Sequence, residues 1–303
     1  MTNHLKHIAQ SFTTTTVTLV IILATVSNAL GQDSVSLLAR HNGLMQRLTN
    51  NQFNRPMVLE STNSNGTLKG DIYTVVAQPF NVISQALQRT NQWCDILMLH
   101  LNVKDCRVKD AGADSGISIA VGRKFDQPLT DAYHVDFVYR VAANKPGYMQ
   151  VLLSTAAGPL GTKNYRVVVE ATPLSAQSTF MHMTYAYSYG ALAQVAMQSY
   201  LATIGRNKIG FSIIDRKPDG APVYINNIRG VVERNAMRYY LAIEAFLGAV
   251  HLPVAAQQEA RLGNWFTAIE RYPQQLHEME RDDYLSMKRS ELARKKAGPV
   301  TAN

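Results

Sequence analysis

Cysteine is nearly absent, with two in 303 residues. That excludes a disulfide framework, and it excludes a cysteine-based zinc site, which needs two to four thiolates in tight pairs. Charged residues are sparse at 17%, and hydrophobic residues at 46% supply a sizeable core, so general disorder is excluded as well. Lys and Arg outnumber Asp and Glu by 30 to 22. The excess is scattered, and no aromatic-interleaved basic motif marks a nucleic-acid binder. There is no GxSxG elbow. Gly158–Lys163 (GPLGTK) has the wrong order for a phosphate loop and reads as a hairpin turn. His277-Glu278 lacks the second histidine of a zinc-protease helix and reads as a solvated face. No cofactor and no metal are expected.

What is present begins at the N-terminus. Met1–His7 carries Lys6, Val17–Val26 (VTLVIILATV) is an apolar run of ten, and Ser27-Asn28-Ala29 supplies small residues for a cut after Ala29. Residues 1–29 thus read as a secretory signal peptide. The run is well short of the ~20 residues that span a bilayer, and no cysteine follows the cut to carry a lipoprotein anchor. The expectation is an exported protein, periplasmic if the source is Gram-negative. Asn65-Gly66-Thr67 reads as an Asn-Gly turn rather than a sequon.

Residues 30–56 form a helical leader, whose helix over 33–49 gathers Leu37, His41, Leu44, Met45 and Leu48 on one face. Met57–Ser61 and Leu68–Ala77 pair as a hairpin, and Pro79-Phe80 then opens a helix with Phe80, Ile83 and Leu87 as its buried stripe. From 102 to 189 the chain is a run of strands. In one, Tyr133, Val135, Phe137 and Tyr139 alternate with His134 and Asp136, which face water; in the last, Met181, Met183, Tyr185, Tyr187 and Tyr189 share a face. Strands without crossover helices make an antiparallel sheet and an α+β fold. Three helices follow. The first carries Ala193, Met197, Tyr200, Leu201 and Ile204; the second, over 227–250, carries Val232, Ala236, Tyr240, Ile243 and Leu247; the third carries Leu262, Trp265 and Ile269 and breaks at Pro273. The basic tail, Lys288 to Lys296, reads as solvated and suits peripheral contact with an anionic membrane surface. Residues 297–303 read as disordered.

A hairpin, a Pro-Phe that opens a helix, a Trp at that segment's end, an antiparallel meander and then a helix resemble the START-like, or helix-grip, superfamily. The matching residues are Gly70-Asp71-Ile72-Tyr73, Pro79-Phe80, Leu87, Trp93 and the strand Thr179–Tyr189, within 57–207. The resemblance implies a curved sheet gripping a helix, with an apolar cavity for a lipid, sterol or other hydrophobic ligand; some members are cyclases. On this reading residues 57–220 are the START-like domain and 221–296 a helical annex that caps or fills the cavity.

Tyr133, Phe137, Tyr139, Met181, Met183, Tyr185 and Tyr187 are the candidate cavity lining. The same stripe also fits ordinary core packing, but three tyrosines on an inner face need partners for their hydroxyls, which a wet or ligand-filled cavity provides. His182 points away from that stripe and reads as a surface or helix-packed histidine. Arg229 and Glu233 read as an exposed i,i+4 pair, or with Arg234 and Arg238 as an anion clamp. Cys94 and Cys106 are expected to pair in an oxidising compartment. A strand over 97–103 would hold them too far apart, so the segment 93–101, with Trp93, Ile96, Leu97, His100 and Leu101 at helical spacing, is expected to be helical. Three functions fit these residues: an exported non-enzymatic binder or carrier of a hydrophobic small molecule or lipid, a cavity-based cyclase or hydrolase, and a structural or interaction protein with a solid core. The sequence names no protein partner and no nucleic acid.

Overall fold

The computed structural model describes residues 33–111, 114–203 and 205–297, apart from the side chains at 110, 111, 114, 192 and 200. The signal segment with its Ala29 cut, Ile204, the side chain of Tyr200 and residues 298–303 lie outside the described residues.

Asp33 caps the first helix, α1 (Ser34–Thr49), by accepting from the Ser36 N–H at 2.8 Å. The hairpin β1 (Met57–Ser64) and β2 (Thr67–Val76) turns on Asn65 and Gly66, both at positive φ (50° and 70°), the two-residue geometry that matches strand twist. Pro79 starts α2 (Phe80–Leu87), and α3 (Thr90–Leu97) follows, its Trp93 indole donating to the Leu87 carbonyl at 2.7 Å. The helix expected over 93–101 therefore ends at Leu97. Beyond it the chain continues in short turns, where Tyr284 and Lys288 donate to the carbonyls of Leu99 and His100. The reversal brings Cys94 and Cys106 together in a disulfide with Cα atoms 5.3 Å apart.

Six more strands follow: β3 (Val103–Ala111), β4 (Asp114–Val121), β5 (Tyr133–Lys145), β6 (Tyr148–Ala157), β7 (Thr162–Pro173) and β8 (Thr179–Tyr189). Among the described residues these eight strands form one antiparallel sheet in the order β1-β2-β8-β7-β6-β5-β4-β3. β3 opens the stretch expected to be strands, although its alternation is broken by the buried Lys104 and by a bulge between Val103 and Asp105. After α4 (Ala191–Ala202), a small ribbon, β9 (Ile213–Arg216) and β10 (Pro222–Tyr224), surrounds the Lys217–Gly220 turn. Then come α5 (Ile228–Leu247), α6 (Val254–Ile269), α7 (Pro273–Leu276) and α8 (Arg281–Ala297). Among the described residues no helix is long and apolar enough to cross a membrane.

The sheet's two faces are covered differently. α5, in the stretch read as an annex, packs Val232, Ala236, Met237 and Tyr240 against the face that carries Met181 and Met183. It comes very close at Gly70, where a Cβ would meet Ala236 Cβ at 3.0 Å and the Val232 carbonyl at 3.4 Å; only glycine allows that approach. On the other face α1 buries Leu37, Leu44 and Leu48 against Val58, Tyr73, Tyr148 and Phe180. Met45, expected on α1's buried face, is 52% exposed.

The tail also departs from expectation. Tyr284, Leu285 and Leu292 of α8 are buried, and Lys288 is fully enclosed, donating to the carbonyls of His100 and Val103 and to Glu291. Arg289, Arg294 and Lys295 pair with Glu259, Asp126 and Asp95. Arg289 and Lys296 stay exposed, so one side of the tail is solvated and the other is buried.

Candidate ligand cavity

The apolar faces of β4 to β8 do not fill completely against α3 and α5. An inner chamber of about 80 Å³ is walled by Leu97, Ile119, Val135, Leu153 and Val167, and by the rings of Phe137, Tyr165, Tyr185 and Tyr239. A second space of about 300 Å³ lies between Tyr165, Tyr185 and Tyr187 on the sheet, Ala196 and Met197 on α4, and Val231 and Asn235 on α5. Pro159, Tyr165 and Tyr185 border both spaces. The inner chamber alone is far below the ~300–1,000 Å³ of a small-molecule pocket, whereas the outer space reaches that range. The two work as one site only if both are used.

Local sequence fixes the partition between them. The β6–β7 turn runs Gly158-Pro159-Leu160-Gly161, with Leu160 at φ 56° and half exposed. A Cβ at Gly158 would sit 2.2 Å from the Tyr165 ring, so the glycine lets that ring lie flat across the turn. Tyr165 bonds its hydroxyl to Thr162 at 2.9 Å and stacks on Tyr187 with centroids 5.0 Å apart. Burial pushes the phenols of Tyr165, Tyr185, Tyr187 and Tyr239 up, and tyrosine neighbours add to the effect at Tyr185. All four stay protonated at neutral pH and act as neutral hydrogen-bonding groups.

Of the seven residues expected to line a cavity, Phe137 and Tyr185 border the inner chamber, and Tyr185 and Tyr187 the outer one. Tyr139 is buried behind them, its hydroxyl donating to the Leu87 carbonyl at 3.1 Å. Met181 and Met183 are 1% and 0% exposed and lie in the close-packed part of the core under α5. Tyr133, at the start of β5, is 52% exposed. Sequence reasoning missed Tyr165 and Tyr239. The second was findable: Val231, Asn235 and Tyr239 recur every four residues on α5, a second stripe beside the one that was read.

Other singled-out groups lie elsewhere. Glu233 is fully buried and accepts from the Phe211 and Ser212 N–H groups and from the hydroxyls of Ser61 and Ser212, so it forms no exposed pair with Arg229. Glu278, read as solvated, is nearly buried between Lys124, Lys208 and Arg238. A wider groove of about 750 Å³ between Gln52–Arg55 and Arg271–Gln275 is lined as much by amides and arginines as by rings. Being open and polar, it does not exclude water and suits an apolar ligand poorly.

His182 is the centre of a closed network on the α1 side of the sheet. Its ring nitrogens meet Glu170 at 2.7 Å and Asp71 at 2.9 Å, Thr184 donates to Asp71, Tyr148 donates to Glu170, and Tyr73 stacks on the imidazole with centroids 4.2 Å apart. Burial opposes a charge on His182, but the two carboxylates outweigh it and raise its pKa. Burial likewise opposes the Asp71 charge, and the bonds from His182 and Thr184 reverse the balance and lower its pKa.

A curved antiparallel sheet with a long helix across its concave face and unfilled apolar space beside that helix decides the architecture. The chain has the helix-grip fold. No family model and no curated protein matches it. Similar solved structures include human StAR-related lipid transfer protein 5, at 10% identity over 56% of this chain and 88% of that one, with a TM-score of 0.31. Norcoclaurine synthase from Thalictrum flavum is similar at 15% identity over 49% and 88%, with a TM-score of 0.32. The Zhui aromatase/cyclase from Streptomyces sp. R1128 is similar at 11% identity over 66% and 94%, with a TM-score of 0.34. At such scores the helix-grip assignment rests on the chain's own strand order and enclosed helix.

Proposed function

We propose that this protein is an exported, non-enzymatic binder or carrier of a hydrophobic small molecule or lipid, held between the sheet and helices α4 and α5. The observation that carries the reading is the pair of adjoining apolar spaces that share Tyr165 and Tyr185. A solid interaction module has no use for such unfilled volume, since each void forfeits packing energy. A cyclase or hydrolase would need a group that ionises near neutrality beside its substrate. The phenols on the cavity wall are held protonated by burial, and the His182 network belongs to the opposite face.

Export is supported by the signal-like N-terminus and by the Cys94–Cys106 bridge, a bond that persists in oxidising compartments. N-terminal sequencing of protein from its native host is expected to begin near Leu30; an intact Met1 on a cytoplasmic pool would refute export. For the ligand, solvent extraction of gently purified protein followed by mass spectrometry is expected to release one apolar compound in near-stoichiometric amount. An empty extract, together with no uptake of apolar probes, would favour the interaction-protein reading.

A further inference from the structure

Buried tyrosines in this protein find partners almost everywhere. Tyr139 donates to the Leu87 carbonyl, Tyr148 to Glu170, Tyr240 to Glu244, Tyr284 to the Leu99 carbonyl, and Tyr165 shares a bond with Thr162. Tyr185 and Tyr239 stand apart. They come from opposite sides of the cavity, one from β8 and one from α5, with rings 5.2 Å apart at a 30° tilt. Both border the inner chamber, and among the described residues neither hydroxyl has a hydrogen-bond partner. Tyr185 is only 6% exposed. Tyr239 is half-buried, and neither hydroxyl is sealed among packed atoms, so each keeps accessible surface in the cavity, where water or a bound group can meet it.

Resting on the carrier reading above, we propose that the inner chamber receives the carbonyl end of a rigid, ring-shaped apolar ligand, whose oxygen accepts hydrogen bonds from Tyr185 and Tyr239. The ligand class follows from the walls. Both phenols are held protonated, so they offer donors. A carboxylate would lose its hydration against Leu97, Ile119, Leu153 and Val167, with no cation there to answer it. A pure hydrocarbon would leave both donors unpaired. A carbonyl oxygen brings two lone pairs and little desolvation cost. The body is a ring rather than a long acyl chain because about 80 Å³ is too small to take an extended chain, and because Tyr165, fixed by Gly158 and Thr162, offers a flat face where the inner chamber meets the outer space. The outer space of about 300 Å³ then holds the remaining rings.

The test uses fluorenone and fluorene, nearly identical in shape and differing in the carbonyl, as competitors for the fluorescent apolar dye 1-N-phenylnaphthylamine. Wild-type protein is expected to prefer fluorenone by about tenfold, because a site built to hydrogen-bond a group rejects the analogue that lacks it. Tyr185→Phe should remove most of that preference and Tyr239→Phe part of it, each read as the fluorenone-to-fluorene ratio within the same variant. Should a variant fail to fold, the wild-type ratio alone decides. Dye displaced equally by both compounds, or a preference that survives in the Tyr185→Phe/Tyr239→Phe double variant, would overturn the proposal and leave the carrier reading standing. Failure of wild-type protein to take up the dye or either compound would overturn both.

Discussion

The two faces of one sheet bury polar groups in opposite ways. On the face under α1, His182, Asp71, Glu170, Thr184 and Tyr148 use one another, Lys69 at the rim adds a cation to Asp71, and each group has a protein partner. On the face toward α5, Tyr185 and Tyr239 sit over unfilled apolar space. A closed network stabilises and orders the fold, whereas open donors in an apolar hollow are a demand for a ligand. Burial and polarity alone do not distinguish the two. Partnership does.

The strongest way to break this comparison is to cut the closed network. Replacing His182 with Ala leaves Glu170 enclosed without its histidine and Asp71 with Lys69 alone, and loss of one partner of a buried ion pair costs up to about 3–5 kcal/mol. Urea unfolding should show that loss while dye binding per folded molecule stays unchanged. Lost binding at unchanged stability would transfer the functional site to the α1 face. A slightly smaller effect separates filled core from cavity wall on the α5 side. Met183→Ala, at a fully buried position, should cost about 2–5 kcal/mol. Met197→Ala, on the rim of the outer space, should cost much less and should alter dye affinity instead. Equal losses at the two sites would mean the outer space is ordinary core.

Reduction of Cys94–Cys106 comes next. Closing a loop this short should contribute about 2–3 kcal/mol, measured as a lower unfolding midpoint in reductant with ligand binding retained.

The smallest effect is the pH dependence of the closed network. His182 has a raised pKa, so its contribution is complete below the unfolded value of about 6.5 and is lost as pH rises through the folded value. Asp71 has a lowered pKa, so its contribution is present above the unfolded value of about 3.9 and fades as pH falls through the folded one. Lys288, pushed down to about 8 by burial, acts the other way, its folded form gaining stability as pH rises from about 8 toward 10.5. The difference in stability between wild type and His182→Gln cancels the lysine and should shrink steadily above pH 7. A difference that stays flat through pH 9 would show that His182 is not charged in the fold.

Much of this comparison was legible in the sequence. Alternation in Tyr133–Tyr139 and Thr179–Tyr189 separated the two faces, and Asn65-Gly66 and Pro79-Phe80 placed the hairpin turn and the helix start. What escaped were features created by tertiary approach. β3 carries a buried lysine whose charge is answered by Glu291, far along the chain, beside the Leu101 carbonyl. The basic tail looked solvated because its acidic partners, Asp95, Asp126 and Glu259, are remote in sequence. Likewise, the first helix after β8 lies at the outer space, and the second, α5, occupies the concave face, an assignment that hangs on the close approach at Gly70. Within the candidate lining, a strand's alternation gives the face but not the depth. It could not tell that Met181 and Met183 pack tightly under α5 while Tyr185 and Tyr187 meet α5 across unfilled space.

The central claim is that the space between Tyr165, Tyr185 and the two helices holds an apolar molecule. Fluorescence titration of 1-N-phenylnaphthylamine into wild-type protein and into Ala196→Trp, which plants an indole in the outer space, tests it most directly. The account predicts saturable one-to-one binding to wild type and little or none to Ala196→Trp at an unchanged unfolding midpoint. Equal binding to both proteins, or none to wild type, would contradict it.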